Sequence, residues 1–65
     1  MKIQLNGEEK EVHSATLAEL VAELGLERRM IAIERNLEVV SKSLYDATSI
    51  EEGDRIEVVH MIGGG

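Results

Sequence analysis

Hydrophobic and polar side chains alternate at the start of the chain, which predicts a half-buried strand over residues 1–5. Asn6-Gly7 follows, and this pair favours the two positive φ angles of a type I′ hairpin turn. A return strand over residues 8–13 is expected, with Val12 as its one large apolar side chain. The chain therefore opens with a predicted β-hairpin.

A helical period replaces the alternation after Thr16. Apolar residues occupy positions i, i+3, i+4 and i+7 of one stripe: Leu17, Leu20, Val21 and Leu24. Thr16 and Glu19 have the spacing of a capping box, in which each side chain accepts a hydrogen bond from the backbone N–H of the other residue. Gly25 stands where a left-handed residue ends a helix, and Leu26 is placed to pack back on Val21 in a Schellman motif.

Alternation returns in the second half of the chain. Residues 30–34 are a predicted strand with Ile31 and Ile33 facing inward, and residues 35–38 are expected to connect it to a short strand at residues 39–40.

Residues 41–50 have no clean period, so an irregular crossing with one turn of helix is expected there. Its candidate anchors are Leu44, Tyr45 and Ile50. A tight turn at residues 51–54 leads to a last strand, residues 55–62, with Ile56 and Val58 inward.

This order of elements predicts an α+β domain with one helix packed on one face of a mixed sheet of four to five strands. The β-grasp (ubiquitin-like) topology fits the order, whereas a ferredoxin-like domain needs a second full helix. We expect a single domain over residues 1–61 and a flexible glycine tail over residues 62–65.

Composition narrows the range of functions. Asp and Glu number 13 against 7 Lys and Arg, a net charge of −6, which argues against binding to nucleic acid. The same charge suits docking on a basic partner, although a chain that is acidic only for solubility would have the same composition. The chain has no cysteine, no signal-peptide pattern and no apolar run of membrane-spanning length, so a cytoplasmic protein without a membrane partner is expected.

Catalytic and metal-binding patterns are absent from the sequence. His13 and His60 stand alone, without the spacing of a metal site. The acidic pairs at residues 8–9 and 51–52 fall in or beside turns, where solvated charge is the expected state, and no serine has a neighbouring base. We therefore expect neither catalytic residues nor a metal ligand.

The remaining candidate is the chain end, Gly63-Gly64-Gly65. These glycines are either an incidental tail or a thin segment that carries the carboxylate of Gly65 into the active site of another protein. The second interpretation needs a docking surface, for which the last strand offers Glu57, Val59, His60, Met61 and Ile62.

Several segments carry a resemblance to a known family. They are MKIQLNGE (1–8), TLAEL (16–20), IAIERN (31–36), EVV (38–40), EGDRIEVVH (52–60) and the glycines at 63–65. The chain resembles the small sulfur carrier of thiamine biosynthesis, the ThiS family of ubiquitin-like proteins. It departs from the usual pattern at Ser41, where proline is common, and at Met61, where a bulky aromatic is common.

The resemblance implies a co-substrate and not an enzyme. A ubiquitin-E1-like adenylyltransferase (ThiF-like) would adenylate Gly65 with ATP, and a sulfur donor such as a cysteine desulfurase would supply sulfur for a thiocarboxylate. Thiazole synthase (ThiG-like) would take that sulfur for the thiazole ring, and the carrier itself would bind no cofactor. Alternatives are a sulfur carrier for molybdopterin synthesis, and a ubiquitin-like protein modifier or interaction domain.

Overall fold

A computed structural model describes residues 1–61 and contains a mixed five-stranded sheet with one helix against one face. Within these residues the strand order is β2-β1-β5-β3-β4. The elements are β1 (Lys2–Leu5), β2 (Glu8–Glu11), α1 (Leu17–Glu23), β3 (Ile31–Arg35), β4 (Glu38–Val40) and β5 (Arg55–His60), with 3-10 turns at Arg28–Met30 and Lys42–Leu44. The predicted β-grasp architecture is confirmed.

The N-terminal hairpin forms as predicted. Asn6 and Gly7 have φ angles of 50° and 84°, and β1 and β2 pair antiparallel around them. The Asn6 side chain also accepts a 2.8 Å hydrogen bond from the Val58 N–H, which ties this turn to β5. Val12 is fully buried although it lies beyond the end of β2.

The start of α1 differs from the predicted capping box in one bond. The Glu19 N–H donates to Thr16 Oγ1 at 3.2 Å, as expected, but the Glu19 carboxylate accepts from the Ala15 N–H at 2.7 Å and not from the Thr16 N–H. An isolated bridge between Thr16 and Ser49 fixes the backbone at this point. The Glu19 carboxylate thus caps the N–H one residue before the predicted donor.

The end of α1 is the predicted Schellman motif. Gly25 has φ of 71°, its N–H donates to the Ala22 carbonyl at 3.0 Å, and the Leu26 N–H donates to the Val21 carbonyl at 2.9 Å. Both ends of this seven-residue helix are therefore capped by local bonds. Since an isolated helix of this length is unstable in water, its apolar stripe needs the sheet.

The core lies between α1 and the inner face of the sheet. Ten hydrophobic side chains are buried there: Ile3, Val12, Leu17, Leu20, Val21, Ile31, Ile33, Tyr45, Ile50 and Ile56. Tyr45 and Ile50 anchor the irregular crossing as predicted. Leu44 was predicted as a third anchor, and this was wrong, since its side chain is 53% exposed at the end of the second 3-10 turn.

The connection between β3 and β4 is shorter than the predicted 35–38. Arg35 and Glu38 form a register pair within the sheet, which leaves Asn36 and Leu37 as a two-residue turn with φ angles of 52° and 72°. Leucine rarely adopts positive φ, because its Cβ crowds the following carbonyl oxygen. The turn was therefore not recognised from residue type.

We expect Leu37→Gly to raise the free energy of unfolding by about 1 kcal/mol, because it removes the left-handed strain at little loss of buried surface. The side chain is 70% exposed. In a domain of this size the expected rise in Tm is about 4–8 °C, measured by thermal unfolding. Leu37→Ala is the matched control, since it removes similar apolar surface but keeps the positive φ. Equal Tm values for the two variants would contradict the proposed backbone strain at residue 37.

A buried carboxylate joins the 51–54 turn to the end of β3. Asp54 accepts hydrogen bonds from Arg35 Nε at 2.8 Å, from Asn36 Nδ2 at 3.1 Å and from the Glu51 N–H at 2.8 Å. Asp54 is 7% exposed. Burial alone raises the pKa of Asp54, but these donors outweigh it, and the pKa is lowered from its ordinary value of 3.8.

Candidate functional site

The candidate site is the C-terminal half of β5, the strand that leads to the glycine tail. β5 lies at the centre of the sheet, parallel to β1 and antiparallel to β3. Its attachment to β3 continues one residue further, because the Met61 N–H donates to the Met30 carbonyl at 2.9 Å. The predicted flexible tail, including Ile62 and Gly63 to Gly65, lies outside the described residues.

The predicted docking residues lie on two different sides of β5. Glu57 and Val59 alternate with the inward Ile56 and Val58, so they face away from the helix, on what we call the outer face of the sheet. His60 is two residues after the inward Val58, so it lies on the helix side of the sheet, where it is exposed at the end of the strand. The structure therefore brings Glu57 and Val59 together and separates His60 from them.

Apolar side chains from the neighbouring strands adjoin Val59 on the outer face. Ala32 on β3 is the direct cross-strand partner of Val59. Val39 on β4 is the cross-strand partner of Glu34, in the next row of the sheet. Val59 is 56% exposed and Val39 is 74% exposed. We call Ala32, Val39, Val59 and the half-buried Met61 the outer patch. It adjoins the point where β5 leads into residues 62–65.

Sequence reasoning missed the part of the outer patch that comes from β3 and β4. The alternation that placed Ile31 and Ile33 inward also places Ala32 and Glu34 outward. This signal was present in the sequence. The sequence did not reveal the pairing of β3 with β5, which brings Ala32 and Val59, 27 positions apart, to the same row of the sheet.

Two carboxylates share the outer face with these apolar groups. Glu34 on β3 is directly opposite Glu57 on β5, and Arg55 Nε lies 3.4 Å from Glu57 Oε1. The outer face can therefore offer a partner both apolar contact and negative charge. The apolar groups lie next to the strand end from which the tail continues, and Glu57 lies three residues before that end.

Other candidate sites do not form within residues 1–61. No three metal-ligating side chains converge in this part of the chain. The acidic pair in β2 is exposed on an edge strand, and Glu51 makes a surface ion pair with Arg35 at 3.4 Å. Among the helices of the described residues, none is long and apolar enough to cross a membrane.

Comparison with known proteins identifies the family. The family model described as the ThiS family matches residues 3–65, a range that includes the glycine tail. The chain belongs to the ThiS family. The sulfur carrier protein ThiS of Bacillus subtilis is 35% identical over 65 residues, which cover 97% of this chain and 98% of that protein.

A second kind of relative is a larger protein. The thiazole synthase of Paramagnetospirillum magneticum is 47% identical over 66 residues, and that of Magnetococcus marinus is 48% identical over the same length. These matches cover all of this chain but only 20% of each thiazole synthase. The chain thus spans a fifth of the length of these two relatives.

A solved structure has the same fold over its full length. The crystal structure of the thiamine biosynthesis protein ThiS from Geobacter metallireducens superposes with a TM-score of 0.85 at 30% identity, and the match covers 100% of both chains. The mixed five-stranded sheet with one helix is therefore the β-grasp fold of the ThiS family.

Proposed function

We propose that this chain is a sulfur carrier of thiamine biosynthesis and that its reacting group is the carboxylate of Gly65. The observation that carries the proposal is the extent of the family match, which runs through residue 65. The near-complete coverage of the Bacillus subtilis sulfur carrier supports it. In this function the chain is a substrate of other proteins and not a catalyst.

The chemistry begins from a poor electrophile, because resonance and negative charge protect a carboxylate from nucleophiles. An E1-like adenylyltransferase transfers AMP from ATP to Gly65 and releases pyrophosphate. The resulting mixed anhydride has AMP as a good leaving group, so a persulfide sulfur from a donor such as a cysteine desulfurase displaces it. Reductive cleavage of the S–S bond, which needs a thiol, then leaves a thiocarboxylate on Gly65.

Glycine suits a segment that enters a narrow active site, because it presents no side chain. Fixing four residues of a chain in one backbone conformation costs about 4–8 kcal/mol in conformational entropy, which docking of the folded domain has to offset. We assign this docking to the outer patch together with Glu57, since both lie on the face next to the strand end. Burial of exposed Val59 and Val39 would supply apolar contact for that purpose.

Thiazole synthase is the proposed acceptor of the sulfur. Segments of two thiazole synthases match this whole chain, which supports a carrier that works beside that enzyme. A carrier for molybdopterin synthesis has no comparable support. We further propose that the chain acts in the cytoplasm, binds no cofactor of its own, and depends on ATP only through the activating enzyme.

Intact mass spectrometry tests this function. The chain is incubated with the adenylyltransferase of the same organism, ATP, a cysteine desulfurase, cysteine and a reducing thiol. We expect the mass to shift by one oxygen-to-sulfur exchange, and to stay unchanged without ATP. An unchanged mass in the complete mixture would contradict the carrier function. Adducts on the lysines of other proteins would indicate a protein modifier instead.

A further inference from the structure

Glu34 and Glu57 are held face to face by the register of the sheet. β3 and β5 are antiparallel, and these two residues are direct partners on the outer face. Directly opposed side chains in such a pair have Cβ atoms about 4.5–5.5 Å apart, and like charges at this separation disfavour the folded state. The sheet thus keeps two carboxylates close together at the centre of an exposed surface.

The isolated chain compensates this pair incompletely. Arg55 contacts Glu57 at 3.4 Å but is itself 57% exposed, so water weakens the attraction. Among residues 1–61, no cationic group lies within salt-bridge distance of Glu34. Within residues 1–61, one exposed guanidinium therefore serves Glu57, and none serves Glu34.

Apolar side chains adjoin the carboxylate pair in two directions, one across the strands and one along them. Val39 is the cross-strand neighbour of Glu34, and the pair Ala32–Val59 forms the next row on the same face, about 7 Å away along the strands. A partner that covers these apolar groups therefore also takes the two carboxylates out of water. Removing water from a carboxylate is unfavourable unless a cation replaces it.

We propose that Glu34 and Glu57 together form a receptor for an arginine side chain of the adenylating enzyme that docks on the outer patch. Arginine fits because its planar guanidinium has five N–H donors and can serve two carboxylates at once, whereas a lysine ammonium acts as a point charge. This inference rests on the proposed function for the docking event and adds the chemistry that the partner must present.

A second copy of this chain is a poorer occupant of the same surface. Each copy has a net charge of −6 and would bring its own Glu34 and Glu57 to the contact. Such a contact would oppose carboxylates to carboxylates, which disfavours association. A basic partner surface is the complementary arrangement, and self-association is one outcome that the test examines.

Calorimetric titration of the adenylyltransferase of the same organism with the carrier, without ATP, tests the receptor. We expect Glu34→Gln and Glu57→Gln each to weaken binding by about tenfold and to reduce its dependence on salt. The Tm of the isolated carrier should stay unchanged or rise, because the like-charge repulsion is relieved. Glu8→Gln, an exposed residue on the far edge strand, is the matched control and should leave binding unchanged.

A role in recognition predicts weaker binding without a loss of Tm, whereas a structural role would lower both the affinity and the Tm. Unchanged or tighter binding by the two variants would overturn the proposal, as would a wild-type chain that does not bind. Sedimentation that shows a wild-type dimer dispersed by Val59→Asp would assign the surface to a second copy instead. Since no ATP or sulfur is used, failure of the thiocarboxylate assay counts against the proposed function alone.

Discussion

Asp54→Ala is expected to lower the free energy of unfolding by about 3 kcal/mol, because it leaves a mostly buried guanidinium with only its 3.4 Å contact to the exposed Glu51 and removes the acceptor of two further donors. The affected donors belong to Arg35, Asn36 and the Glu51 backbone. A chain of 65 residues has a total stability of about 3–10 kcal/mol. The loss is therefore a large fraction of the total stability, and circular dichroism and urea titration measure it.

Asp46→Ala is the matched control for the loss of an arginine–aspartate pair. Asp46 contacts Arg28 at 3.1 Å, but its side chain is 73% exposed. Its removal should cost at most about 1 kcal/mol, because water solvates both charges in the folded state. Similar losses for the two variants would show that burial of Asp54 has no energetic consequence.

Asp54→Asn isolates the contribution of the charge, and its effect depends on pH. The pKa of Asp54 is lowered in the folded state, so the stability that this carboxylate contributes is present above its ordinary value of 3.8 and is lost as the pH falls through the folded-state pKa. The difference in unfolding free energy between wild type and Asp54→Asn should therefore be larger at pH 7 than at pH 2.5. Urea titrations at the two pH values measure it. A difference independent of pH would contradict the depressed pKa.

Local patterns in the sequence were enough for the elements with short-range causes. The apolar stripe spans seven positions, the cap at Thr16 three and the Schellman end at Gly25 five, and the helix formed at the predicted place. The Asn6-Gly7 turn follows the same logic, since residue type alone favours its positive φ angles.

The features that the sequence did not reveal depend on contacts between residues far apart in the chain. The residue types of the 51–54 turn do not indicate that Asp54 contacts Arg35, nineteen positions away. Likewise, the opposition of Glu34 to Glu57 depends on the register of two strands separated by the irregular crossing. The sequence indicated the glycine tail and the last strand as a candidate site, whereas the placement of Ala32 and Val39 beside that strand required the pairing of the sheet.

Deletion of Gly65 is expected to lower the rate of adenylation at least a hundredfold without changing the stability of the domain. Removal of one residue draws the terminal carboxylate back by about 3.5 Å, and a misplacement of even 1 Å at a reacting centre costs about a hundredfold in rate. Stability should not change, because all ten buried hydrophobic side chains of the described chain lie between Ile3 and Ile56. Pyrophosphate release and thermal unfolding measure the two quantities.

One glycine added after Gly65 is the complementary variant. It keeps every native residue and moves the carboxylate outward by the same distance, so it should fail for the same geometric reason. If the deletion variant reacts at the normal rate, the carboxylate of Gly65 is not the reacting group. If deletion lowers Tm, the tail contributes to the fold. If both variants fail to react and keep the wild-type Tm, the reaction depends on the length of chain between the docked domain and the terminal carboxylate. This result would assign the chemistry to Gly65 and the positioning to the sheet.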